Sequence, residues 1–261
     1  MKNEMEDFEL RFAEALSGSV LPMDEVLRYV EAARGKRLRP RLVLLTASLF
    51  GEINDTTRRT ALFVEMLHTA TLVHDDVVDG SDTRRGQPSV NARWNSRVAV
   101  LAGDHLLAKA IRLLSNPEDH LILKEMLDVA MMMSEGELLQ FRVESLELRE
   151  GAVKTYLDII TRKTALLLRA CCVGGALSVG ASQEVIDKIG EFGLNFGLVF
   201  QMRDDILDHD SEETTALAEQ LIPEYLDKTL KALDALAPYT INKEALSSLR
   251  ELAVFCATRE S

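Results

Sequence analysis

Two short segments of the chain repeat one pattern: His74-Asp75-Asp76-Val77-Val78-Asp79 and Arg203-Asp204-Asp205-Ile206-Leu207-Asp208. Each sets carboxylates at i, i+1 and i+4 inside a run that otherwise reads as buried helix. Carboxylates are rarely buried without partners, because taking a charge out of water is costly. Two clusters in matching register therefore ask for a shared cation. Hard divalent ions, Mg²⁺ above all, take oxygen ligands and are commonly completed by substrate phosphates. The chemistry this pattern suggests is a metal-bridged diphosphate site.

Helix geometry sharpens that reading. At about 100° per residue, His68, Asp75 and Asp79 fall near one line of a helix, and Gln201, Asp204 and Asp208 near one line of another. Positions beside these stripes, such as Leu67, Leu72, Leu198 and Phe200, are apolar. A solvated face would carry Lys among its acids. An isolated Asp-Asp-x-x-Asp is more often such a face; the paired copies with apolar neighbours read as two walls of a polar-topped cavity. Basic groups stand at loops and helix starts: Lys36-Arg37-Leu38-Arg39, Arg84-Arg85 and Arg162-Lys163-Thr164. Arg forks and Lys point charges are the usual protein ligands of diphosphate. One diphosphate held through metal on the Asp walls and a second on basic residues suit a reaction between two phosphorylated lipids.

The elements that must position these residues are helices. Hydrophobic residues make up 47% of 261 residues, with only 14 Gly and 6 Pro, a shortage of breakers against average usage. Punctuation predicts helices at 23–34, 40–50, 55–80 (capped by Asp55), 95–115, 117–143, 151–180 with a break near Arg162, 183–209, 214–236 and 242–258. A polar loop spans 81–88. No long run alternates with period two, so no sheet is expected. The fold class is all-α, a single-domain helical bundle (1–261) around a central cavity. The net charge of −12 argues against nucleic acid as a partner. Cys171, Cys172 and Cys256 lack metal spacing and read as reduced core residues. The N-terminal stretch is acidic and amphipathic, unlike a signal peptide, and the longest apolar run, 165–181, contains Arg169 and is too short for a membrane span. A cytoplasmic protein is expected.

The ordered set of motifs resembles the trans-isoprenyl diphosphate synthases of the polyprenyl synthetase family. It comprises Gly35–Pro40, residues 67–74 with their Asp cluster, Asp82-Thr83-Arg84-Arg85-Gly86, Ala102-Gly103-Asp104, Lys163-Thr164 and Phe200-Gln201-Met202-Arg203 with the second cluster. The pattern is closest to long-chain, octaprenyl-type members. The resemblance implies an isoprenoid synthase-like fold working as a homodimer. It implies that Asp75, Asp79 and Asp204 bind Mg²⁺, with Asp76, Asp205 and Asp208 as further ligands or supports. Arg84 and Lys163 would clamp the allylic diphosphate. Lys36, Arg39, His68 and Arg85 would hold isopentenyl diphosphate, and Thr164 and Gln201 would line the reacting centre. Product release would allow peripheral membrane contact.

Product length is expected to follow the residues upstream of Asp75. Ala70 and Thr71 are small where short-chain members carry an aromatic, and Phe63 lies about 10 Å further down the helix. A long-chain product follows, with medium or short chains as the alternative; Phe63 and Met131–Met133 are candidate floors. One departure stands out: family members follow the second cluster with Gly-Lys and Asp-Gly-Lys-Thr-Pro-type segments. Here no Lys lies between Lys188 and Lys228, and several dozen residues are missing near 209–214. Either a longer mobile segment has dropped out of the sequence, the favoured reading, or the deletion is real and leaves the site open. A class I terpene cyclase would not need the second Asp cluster or the basic site. A His-Asp phosphohydrolase would need more His. A non-catalytic subunit of a prenyl synthase heterodimer fits the departure but not the intact Asp clusters.

Overall fold

The computed structural model describes residues 1–33, 35–146, 152–208 and 211–260, with side chains omitted at 142–146 and 152. Its helices are α1 (Lys2–Leu16), α2 (Leu21–Ala32), α3 (Leu38–Phe50), α4 (Asp55–Val78), α5 (Val90–Arg93), α6 (Ser96–Leu113), α7 (His120–Leu146), α8 (Ala152–Ile160), α9 (Leu166–Ser178), α10 (Gln183–Asp208), α11 (Glu212–Asp234) and α12 (Lys243–Thr258). The all-α expectation stands, with one small exception. Residues 83–84 and 87–88 pair as a two-stranded antiparallel ribbon. Arg85 and Gly86 both take positive φ, 53° and 76°, the geometry of a two-residue hairpin turn. The ribbon is too short to show any alternation in sequence.

α4 and α10 are the long carriers of the two Asp clusters. α10 packs along both α9 and α11, α4 along α6, and α3 along both α4 and α9. A continuous core runs from Phe8 and Phe12 through Phe63, Met66, Met126, Phe192 and Phe196 to Leu249. A satellite core of Ile160, Ala165, Leu198, Met202 and Ala218 seats α8 and α11 against the lower half of α10. The start of α4 differs from the expected cap. Asn54, not Asp55, precedes it in extended geometry and exchanges hydrogen bonds with Thr57 in a capping box. Asn54 is favoured because its amide also donates to Ser178 O at 2.8 Å, tying two helix ends at once.

The expected break near Arg162 is a π-helical turn over Thr161–Ala165, continuous with the helices on either side. Such turns wrap an extra residue into the spiral and re-aim side chains. The missing-segment reading for 209–214 falls partly on 209–210, which lie outside the described residues. α11 begins at Glu212, with the Ser211 hydroxyl accepting from Thr214 N.

Candidate active site

Three close backbone approaches assemble the site. Gly197 on α10 faces Ala165, whose Cα lies 2.6 Å from where a Cβ would stand. One turn further along α10, Gln201 meets the π-helical turn, and the Thr164 hydroxyl donates to its Oε1 at 2.6 Å. Gly136 on α7 faces Arg162 Cβ at 2.7 Å. That contact brings Glu137 and Gln140 within 3.0 and 2.9 Å of Lys163 Nζ. Gly103 on α6 lies under the ring of His74, whose Nε2 reaches Val100 O at 3.2 Å and Asp104 Oδ1 at 3.4 Å. The Ala102-Gly103-Asp104 motif thus anchors the residue next to Asp75.

The six cluster carboxylates divide by burial. Asp76 and Asp205, at 2% and 5% exposure, stand behind the site. Asp76 accepts from Arg84 Nε at 2.9 Å and Nη2 at 2.5 Å. Asp205 accepts from Gln201 Nε2 at 2.7 Å and from the Tyr156 hydroxyl at 2.6 Å. Tyr156, Asp205, Gln201 and Thr164 form one chain across three segments. Asp75 and Asp204 are half-buried, and Asp79 and Asp208 are exposed at the helix ends.

Electrostatics single out the two half-buried carboxylates. Burial, reinforced by the charges of Glu137 and Asp79 against the pull of Lys163 and Arg84, pushes Asp75 up to about 6. Burial also raises Asp204, opposed by Arg259 and aided by Asp208. Among the described residues no three His, Cys, Asp or Glu side chains converge as a preformed metal cage. Asp75, Asp79 and Asp204, the expected Mg²⁺ ligands, thus form no ready-made three-carboxylate cage. The physical reason is that they sit on two helices, and Mg²⁺ commonly takes one or two carboxylates and completes its octahedron with water and phosphate. Two all-oxygen carboxylate pairs, one member of each raised chiefly by burial, fit such an ion.

The basic residues gather at a cleft of about 680 Å³ lined by Lys36, Arg39, His68, Arg85 and Asp204, within the size of small-ligand sites. Arg39 and Arg85 sit below the ordinary arginine value, first by burial and then by repulsion from neighbouring arginines. Burial and the same arginines lower His68 well below its usual value, so its ring is neutral near pH 7. Crowded, partly desolvated cations gain most from an anion. A larger neighbouring groove of about 1190 Å³ between α1, α3 and α12 carries both Glu6, Glu9, Glu31 and Glu251 and Lys2, Lys36, Arg37 and Arg41 on its walls.

Arg37 differs from its neighbours. It is buried, takes φ of 50° before α3, and pairs with Glu65 at 2.7 Å and Glu9 at 3.0 Å. This buried pairing holds α3's start against α4 and α1, with Lys36 and Arg39 left facing the cleft. Ala70 and Phe63 are buried in the main core, 2% and 0% exposed. Half-buried Thr71 donates to His68 O. Of the candidate floor run, Met131 and Met132 are surface-exposed at 61% and 39% and floor no interior tunnel within one chain, whereas Met133 is half-buried against the main core. Trp94 meets Tyr29 edge-on at 5.3 Å beside the ribbon that carries Arg84 and Arg85. Glu137, Gln140, Tyr156 and Arg259 were not singled out in sequence. Glu137 and Gln140, three apart just after Gly136, share a helix face and carried the only readable signal.

The family model described as polyprenyl synthetase matches residues 21–218. The all-trans-nonaprenyl-diphosphate synthase (geranyl-diphosphate specific) of Rhodobacter capsulatus is 40% identical over 203 residues, 77% of this chain and 62% of that protein. Heptaprenyl diphosphate synthase component 2 of Geobacillus stearothermophilus is 36% identical over 218 residues, 82% of this chain and 66% of that protein. The chain thus spans less than two thirds of the length of these relatives. A polyprenyl synthase from Caulobacter crescentus CB15, solved with calcium and isoprenyl diphosphate, superposes with TM-score 0.86 over 100% of this chain and 96% of that one, at 29% identity. With the family model matching residues 21–218 and relatives of 36–40% identity along most of its length, the chain belongs to the polyprenyl synthetase family.

Proposed function

We propose that the protein is a divalent-metal-dependent prenyltransferase that joins isopentenyl diphosphate to an allylic diphosphate. The observation that carries this reading is a cleft that sets Asp204 of the α10 cluster among Lys36, Arg39, His68 and Arg85, with the α4 cluster held near Arg84 and Lys163. Asp75 with Asp79 and Asp204 with Asp208 would hold Mg²⁺, which when bound supplies charge stabilisation to the departing diphosphate. Lys163 would leave Glu137 for the allylic diphosphate, joined by Arg84 Nη1, since Arg84 Nε and Nη2 are committed to Asp76.

In the reaction the allylic carbon–oxygen bond breaks and its electron pair leaves with the diphosphate. The isopentenyl double bond attacks the cation, and a proton is lost to the released diphosphate. Cations fixed before the reaction stabilise the leaving group most as its charge develops. The Tyr156–Asp205–Gln201–Thr164 chain fixes the dipoles at the reacting centre and holds no spare base.

Relatives by name make products from geranylgeranyl to nonaprenyl diphosphate. Small Ala70 and Thr71 favour the long-chain outcome. The test is incubation with labelled isopentenyl diphosphate, Mg²⁺ and a farnesyl primer, with chromatography of the dephosphorylated products. Long prenols support the reading; no incorporation of label by the folded protein rejects it. Ala70→Phe is expected to shorten the product by several isoprene units, and an unchanged distribution would remove Ala70 from length control. A second copy of the chain is the proposed partner. The alternative rests on the relative named as component 2: here the chain would act with a different subunit, and activity of the purified chain alone separates the two.

A further inference from the structure

α12 ends by delivering Arg259 into the basic cleft. The backbone leaves helical geometry there, with ψ of 145°, and the side chain turns onto α10. Arg259 is 8% exposed, and its guanidinium lies over the Phe200 ring at 4.8 Å. Its Nη2 donates to Asp204 Oδ1, and its carbonyl accepts from Arg203 Nε at 2.6 Å. Its Nε is buried with no hydrogen-bond partner among the described residues. The same cleft presents Lys36, Arg39, His68 and Arg85.

A guanidinium and a divalent cation compete for one carboxylate oxygen and repel each other at contact distance. We propose that Arg259 is an exchangeable latch, paired with Asp204 in the metal-free protein and passed to a substrate diphosphate in the cleft when metal takes the carboxylate. This rests on the prenyl synthase reading of the site. Its consequence is thermodynamic coupling. Metal frees the guanidinium for the diphosphate, and the diphosphate, by drawing it away, frees Asp204 for metal; the coupling is reciprocal. The latch also gives the unpartnered Nε a second donor position to use once an anion arrives, which the pair with Asp204 leaves idle.

Opposite effects on two ligands distinguish a latch from a residue that only supports the fold. Calorimetric titrations of the full chain with MgCl₂ alone, and separately with inorganic diphosphate in chelating buffer, read both. Arg259→Gln is expected to tighten Mg²⁺ about tenfold and weaken diphosphate about tenfold, within the usual span of coupling between sites. Phe200→Leu, which removes the ring under the guanidinium but keeps its charge, should tighten Mg²⁺ with a smaller loss of diphosphate, and it serves if Arg259→Gln does not fold. Losses of the same sign for both ligands, or no movement in either, overturn the latch alone provided the unsubstituted protein binds both. If the unsubstituted protein binds neither, the latch and the prenyl synthase reading fall together.

Discussion

Asp75 shows how a single residue is held ready for a ligand at the expense of the fold. Burial and the neighbouring charges of Glu137 and Asp79 lift it to about 6 from 3.8. An acid whose folded value is raised keeps its proton longer in the native state than in the unfolded chain. Stability from this group is therefore greatest below about pH 4, falls as pH rises to about 6, and stays reduced above that. The full displacement corresponds to at most ~3 kcal/mol, and solvent around a half-buried carboxylate reduces it to about 1–2 kcal/mol. Asp75→Asn should accordingly raise the melting temperature of the metal-free protein by several degrees at pH 8 and leave it unchanged at pH 4. Added Mg²⁺ should stabilise the unsubstituted protein more than the variant, and turnover by the variant should drop by orders of magnitude. Differential scanning fluorimetry across pH measures the first two. Equal melting temperatures at pH 8 would mean that Asp75 carries no such penalty.

At the scale of elements, the site depends on how closely helix backbones approach. The Thr164–Gln201 bond exists because α10 presents Gly197 to Ala165, and Lys163 reaches Glu137 because α7 presents Gly136 to the π-helical turn. Gly197→Ala would put a methyl 2.6 Å from Ala165 Cα, backbone that cannot swing aside. The cost should be that of overpacking, about 1–3 kcal/mol, with Thr164 and Gln201 pulled apart and turnover reduced beyond what the lost stability explains. Gly190→Ala is the control, because its nearest neighbour is Val173 Cγ2 at 3.3 Å and alanine favours helix. If both variants melt and turn over alike, close approach at Gly197 does not set the site. This dependence also explains what could be read in advance. Carboxylates at i, i+1 and i+4 among apolar residues announced α4 and α10 and their polar stripes, and Lys163-Thr164 stood where a break was expected. Which oxygens point into the cleft was hidden. Asp76 and Asp205 face partners on the ribbon and on α8, and Asp204 faces a residue 55 positions away. Contacts of that span leave no periodic trace in a single chain. The ribbon was invisible because two-residue strands have no pattern to show.

At the scale of the whole molecule, one exposed helix face carries a run of large apolar side chains. Along α7, Leu127, Met131, Leu138 and Phe141 are all exposed, at 37%, 61%, 71% and 43%. Their spacings of four, seven and three keep them on one face of the helix, the repeat of a helix that packs against another. A chain with a net charge of −12 has acidic residues to spare for a solvated face, yet this stripe carries large apolar groups instead. In a closed two-copy assembly the same patch serves both partners, so the stripe would meet its own copy, and Met131 would be buried between two. Leu138→Glu places a charge in the middle of the stripe and should convert a dimer to monomer, read by light scattering after gel filtration at micromolar protein. In the monomer the substitution should be harmless to the fold, because Leu138 is 71% exposed there. A dimer that survives both Leu138→Glu and Met131→Glu would place the interface elsewhere. A chain that is monomeric before substitution, and gains activity only with a second protein, would instead favour the unlike-subunit arrangement suggested by the name of its component 2 relative.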